Sequence, residues 1–337
     1  MNMNPTRWRA VLALMAALAL TLGVAACGGD DDTSGTSETA STESTDGGDE
    51  GGGAIVSNPE NGKVTLTVGS KNFTEQIILG EIYAQALEAA GYKVKKDLNL
   101  GSETVALKNV KAGSISGYPE YVSTALTSFF GKEPEEVPAD ATEAYEEAKA
   151  EFEKDNLTAF PPTPFASANA VGTTTETAKK YDLETVSDLE GVSEKLNLYG
   201  SPECRQRIDC LAGLEKLYGL KFKKFTPVDI GLRYTVLEKG QNNLSILFTT
   251  DPQLSAEADK FVILEDDKKV FPAGNVIWVT TPKVVEEAGP DYEETITQVQ
   301  EGMSLEVIQE LGARVELEKE PAAKVAAEYL EAAGYTG

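Results

Sequence analysis

Val64-Thr65-Leu66-Thr67-Val68-Gly69-Ser70-Lys71-Asn72-Phe73-Thr74-Glu75-Gln76 is the stretch on which the architecture turns. Residues 64–68 alternate apolar and polar and are rich in β-branched side chains, which predicts a strand. Gly69-Ser70-Lys71-Asn72 reads as a turn. From Thr74 to Ala90, Ile77, Ile78, Ile82, Ala86 and Leu87 recur at helical spacing, and Gly91 supplies a C-terminal cap. A strand that turns straight into a helix opens a βαβ unit. The next segments continue the pattern: a strand over Lys93–Leu98, a helix over Thr104–Lys111 closed by Gly113, and a short strand over Ile115–Tyr118. Alternation of this kind predicts parallel pairing.

Farther along, 133–155 is a charged, Ala/Glu-rich helical region, and Pro161-Pro162-Thr163-Pro164 breaks the pattern. Ala168–Thr173 then reads as a strand entering a second series. That series holds segments at Val186–Leu189 and Leu196–Tyr199, helices over Leu211–Tyr218 and Ile230–Glu238, and a strand over Leu244–Phe248. Strands at Val262–Leu264 and Val276–Thr280 flank Phe271-Pro272-Ala273-Gly274, and two helices follow, 292–311 with a break at Gly302 and Ser304, and 322–333. The expected fold is α/β with two lobes and two crossings, near Phe165 and near Phe271. Residues 63–165 and 272–337 would form the first lobe and 166–271 the second. Ligands of such sheets sit beyond the strand C-termini, which for two lobes is the cleft between them.

The 337-residue chain opens with Arg7 and Arg9 before an apolar run, 11–22, too short to span a bilayer, which needs ~20 residues. The run leads into Val24-Ala25-Ala26-Cys27, where small residues before a cysteine resemble a lipoprotein processing site. Residues 1–26 are therefore expected to be a signal peptide and Cys27 to carry lipid; the alternative is an ordinary secretory signal with an incidental cysteine. From 28 to about 62 the chain is low in complexity, dominated by Gly, Ser, Thr, Asp and Glu with no Lys or Arg, too polar to bury a core, and is expected to be a disordered acidic spacer.

Net charge is −25, and loss of residues 1–26, which hold two arginines and no acid, takes it to −27. That balance argues against nucleic acid and against direct contact with anionic lipid. Histidine is absent, which removes the commonest general base and the commonest metal ligand. There is no phosphate-binding glycine loop and no zinc spacing, so neither enzyme chemistry, cofactor nor metal is expected. With Cys27 assigned to lipid, Cys204 and Cys210 remain as a pair, expected to be bridged in an exported protein, the alternative being two buried thiols.

Four stretches carry a resemblance: Gly69-Ser70-Lys71-Asn72-Phe73-Thr74-Glu75-Gln76; Tyr118-Pro119-Glu120-Tyr121; Gly200-Ser201-Pro202-Glu203 up to Arg207; and Thr249-Thr250-Asp251 with Phe271-Pro272. In order and spacing, over 64–335, the chain resembles the substrate-binding proteins of osmoprotectant ABC importers, which take up glycine betaine, choline, carnitine or proline betaine. The resemblance implies a periplasmic-binding-protein-like fold of type II. It also implies an extracytoplasmic, lipid-anchored and monomeric capture protein that serves a permease and its ATPase. The ligand is a methylated ammonium joined to a carboxylate. A quaternary ammonium donates no N–H and is held by aromatic faces; a carboxylate needs donors such as an Arg fork. Lys71, Thr124 and Arg207 match carboxylate-contacting positions of the family.

The aromatic side is incomplete. Tyr121 and Phe248 fill two of four ring positions, while the others fall on Asn169 and Gly274. At ~0.5–2 kcal/mol per ring, two lost rings are worth roughly one to three orders of magnitude in affinity. Phe165, Tyr118, Phe271 or Tyr234 could compensate, and Asn275 could add a polar contact. Otherwise the ligand is a different zwitterion, such as an amino-acid derivative, for which Gly274 makes room and Asn169 supplies an amide. A lipid-anchored sensor or enzyme on the same scaffold is the reading from a different class.

Overall fold

The computed structural model describes residues 53–337. The expected signal peptide, Cys27 and most of the acidic spacer lie outside the described residues. Two sheets organise the chain. The first is built from β1 (Thr65–Gly69), β2 (Lys93–Asp97), β3 (Gly117–Tyr121), β4 (Thr158–Ala159), β5 (Ala166–Ser167) and β11 (Gly274–Thr280), in the order β2-β1-β3-β11-β4 with β5 also on β11. The second, in the order β10-β6-β9-β7-β8, contains β6 (Asn169–Thr174), β7 (Asn197–Gly200), β8 (Lys224–Pro227), β9 (Asn243–Phe248) and β10 (Phe261–Ile263). The chain passes from the first sheet to the second between β5 and β6 and returns between β10 and β11, so the two-lobe α/β architecture with two crossings is the one observed.

Parallel pairing holds only in part. β1 runs parallel to β2 and β3, and β7 parallel to β8 and β9. By contrast β6 is antiparallel to β9, and β11 to β3. The reason is topological. Strands reached through a helix crossover end at the cleft, whereas β6 and β11 are each the first strand after a crossing and start there. Val186–Leu189, read as part of a strand–helix series, is a 3-10 turn closed by reciprocal capping between Thr185 and Asp188. β8, with only Phe225 as a core-sized apolar residue, and the helix Pro282–Ala288 carried too little periodicity to be foreseen.

The helix Thr74–Ala89 is buried nearly all round, with Ile78, Leu79, Ile82, Tyr83, Ala86 and Leu87 at 1% exposure or less. It lies between the first sheet and the helices Pro290–Glu301, Leu305–Glu316 and Ala322–Ala332, which return to this lobe. Beneath it Trp278 of β11 is fully buried over Gly117 of β3, where a Cβ would meet its ring at 2.5 Å. Gly91, at φ +98°, ends the helix in a conformation that L side chains rarely adopt.

The spacer ends earlier than the sequence predicts. Ile55 donates its backbone N–H to Tyr335 at 2.9 Å, Pro59–Lys63 forms a 3-10 turn, and Asn58 and Asn61 both donate to Asp291, at 2.8 and 3.0 Å. The acidic composition of the upstream stretch gives no sign of the two asparagines that pin its end. Among the described residues no helix is long and apolar enough to cross a membrane.

Candidate functional site

The two sheets face each other across a cleft enclosing about 870 Å³, part of it open to solvent. Each lobe contributes strand ends and turns. From the first come the β1 turn (Lys71, Asn72, Phe73), Ser102 and Glu103 at the start of the helix Glu103–Lys111, and the end of β3 with the residues after it (Tyr121, Ser123, Thr124). From the second come Asn169 at the start of β6, Arg207 and Asp209 in the loop after β7, Arg233, and Phe248 at the end of β9. Asn169 and Phe248 are register partners, so the β6–β9 pair delivers both to one rim.

Three rings converge. Phe73 stacks on Tyr121 with centroids 6.3 Å apart and an interplanar angle of 19°, and it meets Phe248 at 5.1 Å and 50°. Phe73 lies inside the motif that opens the chain's first βαβ unit, where nothing in the sequence marks it as a ring of the site. Its extended backbone at the N-terminus of Thr74–Ala89 turns it into the cleft between the other two. It adds a third ring to the cleft lining beside Tyr121 and Phe248. Phe271 also lines the cleft, whereas Phe165 and Tyr118 are core residues, and Tyr234 packs edge-on to Phe261 with its hydroxyl on Asp251.

The cations are held in place by carboxylates. Lys71, 4% exposed, pairs with the fully buried Glu120, and its Nζ lies 4.4 Å from the Tyr121 ring centroid. Glu120 also accepts from the Tyr118 hydroxyl at 3.1 Å and from the Tyr121 backbone at 2.8 Å. Arg207 donates from Nε and Nη2 to Asp209, at 2.8 and 2.5 Å, with Nη2 3.5 Å from the Thr124 hydroxyl and Nη1 3.6 Å from Glu103. Burial alone would lower the Arg207 pKa, but Asp209, with Glu103 and Glu120 behind it, carries it upward, so the guanidinium stays charged. Glu75 accepts a hydrogen bond from the Tyr121 hydroxyl, and desolvation pushes its pKa up.

Cys204 and Cys210 are bridged, closing a loop of sequence separation 6 that carries Arg207 and Asp209. Lys71, Tyr121, Thr124, Asn169, Arg207 and Phe248 therefore come together on one cleft. Two expected contacts do not. Gly274 does not open space for ligand: a Cβ there would lie 2.4 Å from Ser123 Oγ and 2.6 Å from its backbone nitrogen, so this glycine serves close packing of β11 on the segment after β3. Asn275 turns its amide to the Thr163 carbonyl at 2.9 Å and ties β11 to the first crossing. Both are β11 residues whose side-chain directions follow from antiparallel pairing that the sequence pattern did not reveal. No group of acidic, cysteine or histidine side chains suited to a metal ion occurs among the described residues.

A family profile described as the substrate binding domain of an ABC-type glycine betaine transport system matches residues 64–332. The chain belongs to that family. Members bind solute for a transporter rather than catalyse a reaction. This chain is 32% identical over 277 residues to the glycine-betaine-binding protein of Pseudomonas aeruginosa, covering 79% of the chain and 87% of that relative. It is 29% identical to the carnitine transport binding protein OpuCC of Listeria monocytogenes, covering 81% and 88%. A crystal structure of a glycine betaine/carnitine/choline ABC transporter protein, 28% identical, superposes with a TM-score of 0.62 over 79% of this chain and 97% of that one. Family membership accounts for the cleft's build: a binding protein needs one polar, ring-lined gap shared by two lobes, and the geometry provides it.

Proposed function

We propose that the protein captures a quaternary-ammonium or betaine-type solute, of the glycine betaine, choline, carnitine or proline betaine class, and delivers it to an ABC permease driven by its ATPase. The protein works as a monomer on the extracytoplasmic face, held by lipid on Cys27 at the end of the acidic spacer. Residues 63–165 and 272–337 act as one lobe and 166–271 as the other, closing on the ligand about the two crossings. The observation that carries this reading is the convergence of Phe73, Tyr121 and Phe248 from both lobes on a cleft that also holds Lys71 and Arg207. Three rings at ~0.5–2 kcal/mol each supply roughly 1.5–6 kcal/mol, so binding from dilute solution also needs the polar groups at the other end of the solute. Calorimetric titration of the folded protein with the four solutes tests it. At least one is expected to bind, and Tyr121→Ala to weaken that solute about tenfold or more. A cleft that takes none of the four refutes the assignment.

A second reading, a larger amino-acid-derived zwitterion, is supported by the polar side of the cleft. There Asn169, whose amide bonds the Asp209 carbonyl at 3.1 Å, stands where the family places a ring. A relative 30% identical over 80% of this chain, the ergothioneine transport permease/ergothioneine binding protein EgtU of Helicobacter pylori, is matched over 48% of its own length. Including ergothioneine in the titration separates the two readings.

A further inference from the structure

Each cation of the cleft has a carboxylate of its own. Lys71 pairs with Glu120, Arg207 gives Nε and Nη2 to Asp209, and Arg233 gives Nη2 to Asp251 at 2.8 Å. Glu103 is left over. It opens the helix Glu103–Lys111 of the first lobe, lines the cleft and is 7% exposed. An acidic residue in a first helical turn is ordinary where it faces solvent, because it complements the helix dipole. That does not account for one buried against a binding cleft. Its ion-pair contact among the described residues is Arg207, whose Nη1 lies 3.6 Å from Glu103 Oε1 across the two lobes, beyond hydrogen-bond length. With Glu203, which also lines the cleft, five carboxylates stand against three cations there.

A solute carboxylate entering at Lys71 and Arg207 therefore meets a surplus of negative charge. An oxygen bonded to Arg207 Nη1 at about 3 Å lies, from whichever side it comes, within about 6.6 Å of Glu103 Oε1. That is less than a Debye length in physiological salt, so the repulsion is not screened away. A quaternary ammonium without a carboxylate, as in choline, meets no such repulsion and is attracted by the same surplus. We infer that Glu103 is a specificity-determining residue, setting a preference for a singly cationic solute of the choline class over zwitterions such as glycine betaine and carnitine. Lys71, Thr124 and Arg207 keep their place at the polar end of the solute, and Glu103 acts on that end through its charge. The inference deepens the quaternary-ammonium reading above and rests on it.

The test is calorimetric titration of wild type, Glu103→Gln and Glu103→Asp with choline and with glycine betaine. Wild type is expected to bind choline the more tightly. Glutamine keeps the shape and removes the charge, so the ratio of choline to glycine betaine affinity should fall about tenfold or more, with choline weakened and glycine betaine strengthened. Aspartate keeps the charge and should hold the ratio within about threefold of wild type. Equal changes for both solutes in Glu103→Gln would make the residue a clasp between the lobes and overturn the proposal, as would a ratio that Glu103→Asp shifts as far as Glu103→Gln does. The wild-type preference decides independently of whether either variant folds: glycine betaine bound as tightly as choline, or more so, overturns the proposal and leaves the binding reading standing. A wild-type protein that binds neither solute sinks both.

Discussion

At the scale of single residues, the polar groups behind the rings carry as much consequence as the rings. Glu75 sits behind Tyr121, against Thr250 and Asp251, and its pKa is raised above the ordinary 4.5, first by desolvation and further by Asp251. Because the folded value exceeds the unfolded one, the native state takes up this proton more readily. Its favourable contribution is complete below about 4.5 and is lost as pH rises through the raised value. Glu75→Gln keeps an acceptor for Tyr121 and carries no charge. Melts from pH 4 to 8 are expected to show a higher Tm for the variant near neutrality and a difference that vanishes toward the acid end. A constant difference would mean that the charge is not the cause. Gly274 gives a second prediction. Restoring an aromatic there by Gly274→Tyr is expected to drive a Cβ into Ser123 and cost about 2 kcal/mol or more. Denaturant melts and titration should show a weaker fold and no gain in solute affinity. Motif spacing made Lys71, Tyr121 and Arg207 legible. It did not reveal Phe73 or Arg233, because a phenylalanine before a helix and an arginine within one carry no sequence mark of the direction they face.

Elements were legible where periodicity was strong. The strand–turn–helix at 65–89 and the last helix, Ala322–Ala332, fall close to their expected bounds, and the expected break at Gly302 and Ser304 separates Pro290–Glu301 from Leu305–Glu316, which runs past the expected end at 311; β-branched alternation and glycine breaks are local signals. Strand direction was not, because pairing partners depend on where the chain re-enters each lobe. The loop after β7 shows local chemistry serving the site. The bridge from Cys204 to Cys210 closes around Arg207 and Asp209, and Gly213 lets the helix Leu211–Leu217 start against it, for a Cβ there would lie 1.9 Å from the Ile208 carbonyl. A loop this short gives an entropic stabilisation of roughly 2–3 kcal/mol. Cys204→Ala with Cys210→Ala is expected to lower the unfolding free energy by about that amount. It should also weaken solute binding, read by calorimetry, because Arg207 and Asp209 lose their fixed backbone. Lost stability with unchanged affinity would show that the loop keeps its shape unaided.

For the whole molecule the sequence predicts a hinged cleft, and the structure adds the side-chain contacts that span it. Phe73 and Phe248 meet across it, and so do Arg207 with Glu103 and Asp209 with the Thr127 hydroxyl, the last at 3.1 Å. Behind the ring cluster, outside the lining of the main cleft, Gln253 of the second lobe donates at 2.8 Å to Glu316 of the first, which lines the small cavity beside Phe73 and Phe248. None of these pairings was foreseeable, because each joins side chains far apart in sequence whose meeting depends on how the lobes sit. If only the closed form grips solute, apparent affinity scales with the closed fraction, so a clasp that touches no ligand still tunes binding. Gln253→Ala removes one hydrogen bond to a carboxylate, worth about 1.5 kcal/mol, and is expected to weaken every solute by the same factor of about ten, with faster release and no change in the ratio of glycine betaine to choline. Stopped-flow dissociation alongside calorimetry checks it. A shifted ratio would place Gln253 in contact with the ligand, and an unchanged release rate would mean that closure does not depend on this contact.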